Sequence, residues 1–146
     1  MTRTERLQPL VRHKEQQEQQ ALQEVARSQG VLEIEQSRLA QLEQYKSEYL
    51  HKKQQDLKLY SALEMQEFNR FLEQLDQTIV RQQEVIRQRE QELESKRKLW
   101  DATRIESRVM HKAVEKLQLQ ETREQARSEQ KELDDITQTN FHLRRK

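Results

Sequence analysis

Between residues 72 and 100 an apolar side chain returns at every seventh position: Leu72, Ile79, Ile86, Leu93 and Trp100. A second series runs beside it through Phe68, Leu75, Gln82, Arg89, Lys96, Thr103, Met110 and Leu117, and Val114 continues the first. Two interleaved heptad series draw one narrow stripe along an α-helix, and a stripe of that kind is buried only against another helix. The register holds from Phe68 to Leu117. Past that point Glu121, Glu124 and Lys131 fall on seam positions, while Ala126, Leu133 and Ile136 form a stripe of different phase.

The covering helix is available upstream. Ala21, Val25, Leu32, Leu39, Leu42 and Tyr49 share one heptad seam, interrupted by Ser28, Glu35 and Lys46 and widened by Leu22, Val31, Ile34 and Tyr45. Only one Gly and one Pro occur in 146 residues, so tight turns, sheets and phosphate-cradling loops have little to be built from. Pro9 is best tolerated in a first helical turn, where no N–H is required, and places the start of helix one near Gln8. Gly30 costs about 1 kcal/mol relative to Ala inside a helix and marks either a soft or a closely packed point. The break between helices is read from Ser61-Ala62-Leu63-Glu64, a capping box flanked by Tyr60 and Met65 in the manner of a hydrophobic staple.

The fold expected is therefore all-α: a long antiparallel two-helix coiled-coil hairpin whose second helix overhangs the first. As a single domain over residues 1–146, helix one runs from about 8 to 56, the tip from about 56 to 61, and helix two from about 62 to 140. Helix one can cover helix two only as far as about Leu117, which leaves roughly Gln118 to Ile136 as an extension in search of a partner. The competing arrangement, one uninterrupted helix about 200 Å long at 1.5 Å per residue, needs a partner chain along its whole length.

Composition excludes several function classes. Hydrophobic residues make up 32% of the chain, charged residues 36%, and the mean hydropathy is −1.23, which favours elongation over a globular core. The net charge of +1 and the mixing of signs provide no footprint for nucleic acid, and the basic end His142-Leu143-Arg144-Arg145-Lys146 reads as a solvated tail. With no cysteine there is no disulfide or thiolate metal chemistry. No apolar run suits a membrane span or a secretory signal, so a protein kept in the cytosol, or one that leaves it by an unusual route, is expected. A two-helix hairpin encloses no pocket, so an enzyme is not expected, and neither is a cofactor. His13, His51, His111 and His142 are far apart in sequence; His13 and His111 could approach across the hairpin, but a metal site needs three or four converging ligands, and none is expected. The aromatics near the tip, Tyr45, Tyr49, Phe68 and Phe71, either flank the seam or form a protein-binding surface.

Three stretches resemble the FliJ family of the flagellar type III export apparatus: residues 42–49 (LEQYKSEY), residues 71–79 (FLEQLDQTI) with Gln82 following, and residues 129–135 (EQKELDD). The resemblance implies an antiparallel coiled coil similar to the central stalk of rotary ATPases, at the cytoplasmic face of the inner membrane. It implies two partners, the hexameric export ATPase FliI, which the stalk binds and stimulates, and the export gate protein FlhA, with export chaperones as further family partners. Carried over from the family, the gate contact falls on Phe71, Leu75, Thr78 and Gln82, spaced to share one helix face. The ATPase contact is expected at the helix ends, the early part of helix one and Gln118 to Ile136, with Glu129, Gln130, Leu133 and Asp134 as its residues. The alternatives are the equivalent stalk of a virulence-type secretion system and a generic coiled-coil scaffold.

Overall fold

The computed structural model describes residues 2–56 and 60–145; residues 57–59 of the expected tip lie outside them. Two helices make up the regular structure of the described chain, α1 over Arg3–Gln55 and α2 over Ala62–Arg145, and they pack against each other as an all-α helical hairpin. The expected start of helix one near Gln8 is replaced by Arg3. The reason is a second capping box, in Thr2-Arg3-Thr4-Glu5. Thr2 Oγ1 accepts from the Glu5 N–H at 3.2 Å, and the Thr2 N–H donates to the Glu5 carboxylate at 3.2 Å. Two reciprocal bonds set the start of the helix, and Pro9 is accommodated in the second turn at the loss of one backbone bond. α2 starts as its own cap predicts, with the Glu64 N–H donating to Ser61 Oγ at 3.2 Å, and it continues five residues beyond the expected end near 140.

Contacts divide the chain into two compact units, one formed by residues 1–19 with 102–146 and the other by residues 20–101. In the second unit the core is Leu32, Ile86 and Leu93, with Val25 and Leu39 packed against it. Val25, Leu32 and Leu39 belong to the seam of α1 and Ile86 and Leu93 to that of α2, and Leu93, at 4% exposure, is the most deeply placed of them. Gly30 has no heavy atom within 4 Å of where a Cβ would stand, so close packing does not explain it, and the soft-point reading remains.

The same seam then turns polar. Gln82 Nε2 donates to the Glu35 backbone carbonyl at 2.9 Å and to its carboxylate at 2.6 Å, while Arg38 donates to the other carboxylate oxygen at 2.8 Å. Glu35 is buried, and a donated bond on each of its two carboxylate oxygens is what allows the group to lie in a helix seam. One heptad on, Arg89 bonds Glu92 through Nη1 while its Nε is shielded from solvent without a partner.

In the unit formed by residues 1–19 and 102–146, Val11 and Val114 are the buried apolar residues, joined by Thr4 and Ser107. Thr4 donates from Oγ1 and from its N–H to Glu121, at 2.9 and 3.2 Å. Lys14 meets Glu106 at 3.2 Å and His111 meets Glu15 at 2.9 Å. The earlier start of α1 thus carries the seam one position beyond Leu117, to Glu121. From Thr122 to Arg144 every residue is exposed.

Candidate partner-binding surfaces

Near the tip, four aromatic rings are tiered from the seam outward. Phe68, buried at 6% exposure, stacks on Tyr49 with ring centroids 4.6 Å apart and nearly parallel planes. Tyr49 in turn touches Phe71 at 4.7 Å and stacks on Tyr45 at 6.4 Å, and Tyr45 meets Phe71 edge-on at 6.2 Å. Lys53 closes the tier from α1, its Nζ 3.6 Å from the Phe68 ring centroid, a cation–π contact that sequence spacing did not point to. Burial, followed by the nearby Tyr60 and Tyr45 hydroxyls, pushes the Tyr49 phenol above its ordinary range. Phe71 therefore flanks the seam and at the same time supplies, with the half-exposed Tyr45, the outer aromatic layer.

The four residues assigned to the gate contact are not equally placed. Leu75 is buried at 7% exposure and points into the seam, and Gln82 is held by Glu35. Phe71 is partly exposed and Thr78 exposed, with its hydroxyl returned to the Gln74 carbonyl at 2.9 Å. On this surface Phe71 and Thr78 are the two available for direct contact, and Leu75 and Gln82 hold the helix that presents them.

A second surface lies on the exposed part of α2. Leu119, Ala126 and Leu133 recur at seven residues and Ile136 and Leu143 flank them; Leu133 and Ile136 are 59% and 57% exposed. Among the residues assigned to the ATPase contact, Gln130 donates to Asp134 at 3.1 Å and Gln125 to Glu129 at 3.4 Å, so the polar members are knitted along the helix at i,i+4 spacing. All four, Glu129, Gln130, Leu133 and Asp134, are exposed.

The arrangement is suited to binding along helix faces. His111 is committed to Glu15, not to His13, and among the described residues no group of three or more potential metal ligands converges. No helix of the described residues is long and apolar enough to cross a membrane.

Comparison with known proteins identifies the family. The family model of the flagellar FliJ protein matches residues 3–146, and the chain belongs to that family. It is accordingly a component of the flagellar export apparatus, of a structural or regulatory kind. No curated protein and no solved structure matches the chain.

Proposed function

We propose that this FliJ-family chain acts as the stalk of the flagellar export machinery, binding and stimulating the hexameric export ATPase FliI and coupling it to the export gate FlhA. The observation that supports an ATPase-binding role most directly is the exposed run of α2 from Thr122 to Arg144, a helix with an apolar stripe and no covering element among the described residues. A stripe of that kind is completed by a partner helix or groove. The outer aromatic layer of Tyr45 and Phe71 supports a second, separate contact, because rigid aromatic anchors carry a large share of binding energy. Soluble at the cytoplasmic face of the inner membrane, such a stalk holds both partners through protein contacts alone.

Deleting residues 125–146 leaves the Thr4–Glu121 bonds and the whole paired seam in place. The truncated protein is expected to retain its helical circular dichroism per residue and its melting transition while losing stimulation of the ATPase, read as phosphate release with and without the stalk. Full stimulation by the folded truncation sinks the assignment of this end.

A further inference from the structure

The chain is close to neutral overall, yet the unit formed by residues 20–101 is polarised from side to side. With Leu32 and Ile86 at heptad position a and Glu35 and Gln82 at position d, the positions beside the seam on one side are g and c, and on the other e and b. Contacts confirm which positions meet: Tyr45 and Phe71, both g, are ring neighbours at 6.2 Å, and Arg97 reaches Gln29, both e, at 3.4 Å.

Along the g and c side, α1 presents Arg27, Val31, Ile34, Arg38, Gln41 and Tyr45. α2 presents Phe71, Gln74, Thr78, Arg81, Val85 and Gln88. Three arginines and five large apolar or aromatic residues fall there without one carboxylate among them. Glu24 and Glu92 bound the stretch at one end, and Glu48 and Glu67 at the other. The e and b side over the same length holds Glu33, Glu43, Glu73, Asp76 and Glu90 against Arg87. Of the apolar members of the first side, Val31, Ile34 and Tyr45 are exposed, Ile34 at 56% and Tyr45 at 50%, and Phe71 and Val85 are partly covered. Arg27 and Arg38 are held in place by Glu24 and Glu35, each at 2.8 Å, and Arg81 makes no ion pair among the described residues.

We propose that this arginine-bearing, apolar flank is the docking surface for an acidic amphipathic segment of the export gate. Its apolar residues lie along Tyr45, Phe71, Val85 and Val31, and its carboxylates turn toward Arg27, Arg38 and Arg81. Charge complementarity selects the occupant: a basic, apolar strip bordered by acids at both ends attracts a segment of opposite sign and repels a neutral or basic one. The proposal rests on the reading of Phe71 and Thr78 as gate contacts, since both lie on this flank. It adds α1 to that contact and gives the partner a charge.

The test measures binding of the full chain to the cytoplasmic part of the gate protein at low and at physiological salt. The variants are Arg27→Glu/Arg81→Glu on the flank, Arg87→Glu on the opposite side, Tyr45→Ala and Phe71→Ala, each checked by its melting curve. Arg38 is left intact because it bonds the buried Glu35. The double arginine variant is expected to bind about tenfold more weakly at low salt and to lose most of the salt dependence. Arg87→Glu is expected to stay within about twofold, and Tyr45→Ala to weaken binding several-fold. If Phe71→Ala weakens binding and the arginine variant does not, the gate reading stands and the acidic partner falls. If neither changes binding, both fall together. Loss from the arginine variant with Phe71→Ala silent removes the apolar half and overturns an amphipathic occupant. Sedimentation that shows self-association abolished by Arg81→Glu makes a second copy the occupant, through its own acidic side, and also overturns the proposal.

Discussion

The two contact units solve the same packing problem with different chemistry. In residues 20–101 the seam is closed by Leu32, Ile86 and Leu93 and by stacked rings at Phe68 and Tyr49. In residues 1–19 with 102–146 it is closed by Val11 and Val114 between polar contacts: Thr4 with Glu121, Lys14 with Glu106 and His111 with Glu15. Apolar burial contributes about 25 cal/mol per Å², whereas exposed ion pairs contribute well under 1 kcal/mol each. Identical heptad geometry therefore gives a firmly joined unit in one case and a readily parted one in the other.

The largest expected effect tests that difference directly. Leu93→Ala removes the most buried core side chain and is expected to cost about 3 kcal/mol in denaturant unfolding, against about 1 kcal/mol for Val114→Ala. Equal losses at the two sites break the comparison. A smaller effect, of opposite sign, is expected at the polar interruption. Replacing the bonded pair by Glu35→Leu/Gln82→Leu is expected to stabilise the protein by about 1–2 kcal/mol, since a buried charge network is often weaker than an apolar layer of the same volume. Gln82→Leu alone withdraws two of the bonds to Glu35 and is expected to destabilise. A double variant no more stable than the parent shows that the polar layer is not the weak link of its unit.

The smallest effect belongs to the exposed pair Glu84 and Arg87. The hydrogen bond from Arg87 holds the Glu84 carboxyl below its ordinary value, ahead of the opposing effect of desolvation. A depressed folded-state value means stability that is present above the unfolded carboxylate pKa and lost as pH falls through the folded one. Because the pair is fully exposed, the change in stability is small, and the direct readout is the NMR titration of Glu84. Arg87→Ala is expected to move that titration up toward the ordinary carboxylate value; an unmoved midpoint removes the pair from the account.

Most of the fold was legible because heptad recurrence is a long-range pattern that one wrong residue does not spoil. Leu72 to Trp100 fixed the second helix, and the Ser61 cap fixed where it begins. The start of α1 was not, because the proline rule was weighed at Pro9 while the Thr2-x-x-Glu5 cap went unread, although it is the same motif as at Ser61. The end of the pairing moved for the same reason. Glu121, read as the failure of the seam, is instead the residue that Thr4 needs there.

Of the partner surfaces, the sequence displayed the residues but not their depth. Phe71, Leu75, Thr78 and Gln82 share a spacing, yet how far each is covered depends on Tyr45, Tyr49 and Glu35 across the hairpin, which spacing along one helix cannot report. The one-sided charge of residues 20–101 was hidden by a net charge near zero, since opposite flanks cancel in any sum along the chain.

The uncovered run from Thr122 to Arg144 has a consequence for how the helix behaves in solution. An isolated peptide of that length has to form a first turn from coil, at a statistical weight of about 10⁻³. Here the preceding turns of α2, held by Val114 and Glu121, supply a template, and each further residue adds only a propagation step. Such a segment loses helix progressively with distance from that template, in place of melting as a block. Amide hydrogen exchange is accordingly graded along it, slowest next to Glu121 and faster with distance from the paired turns.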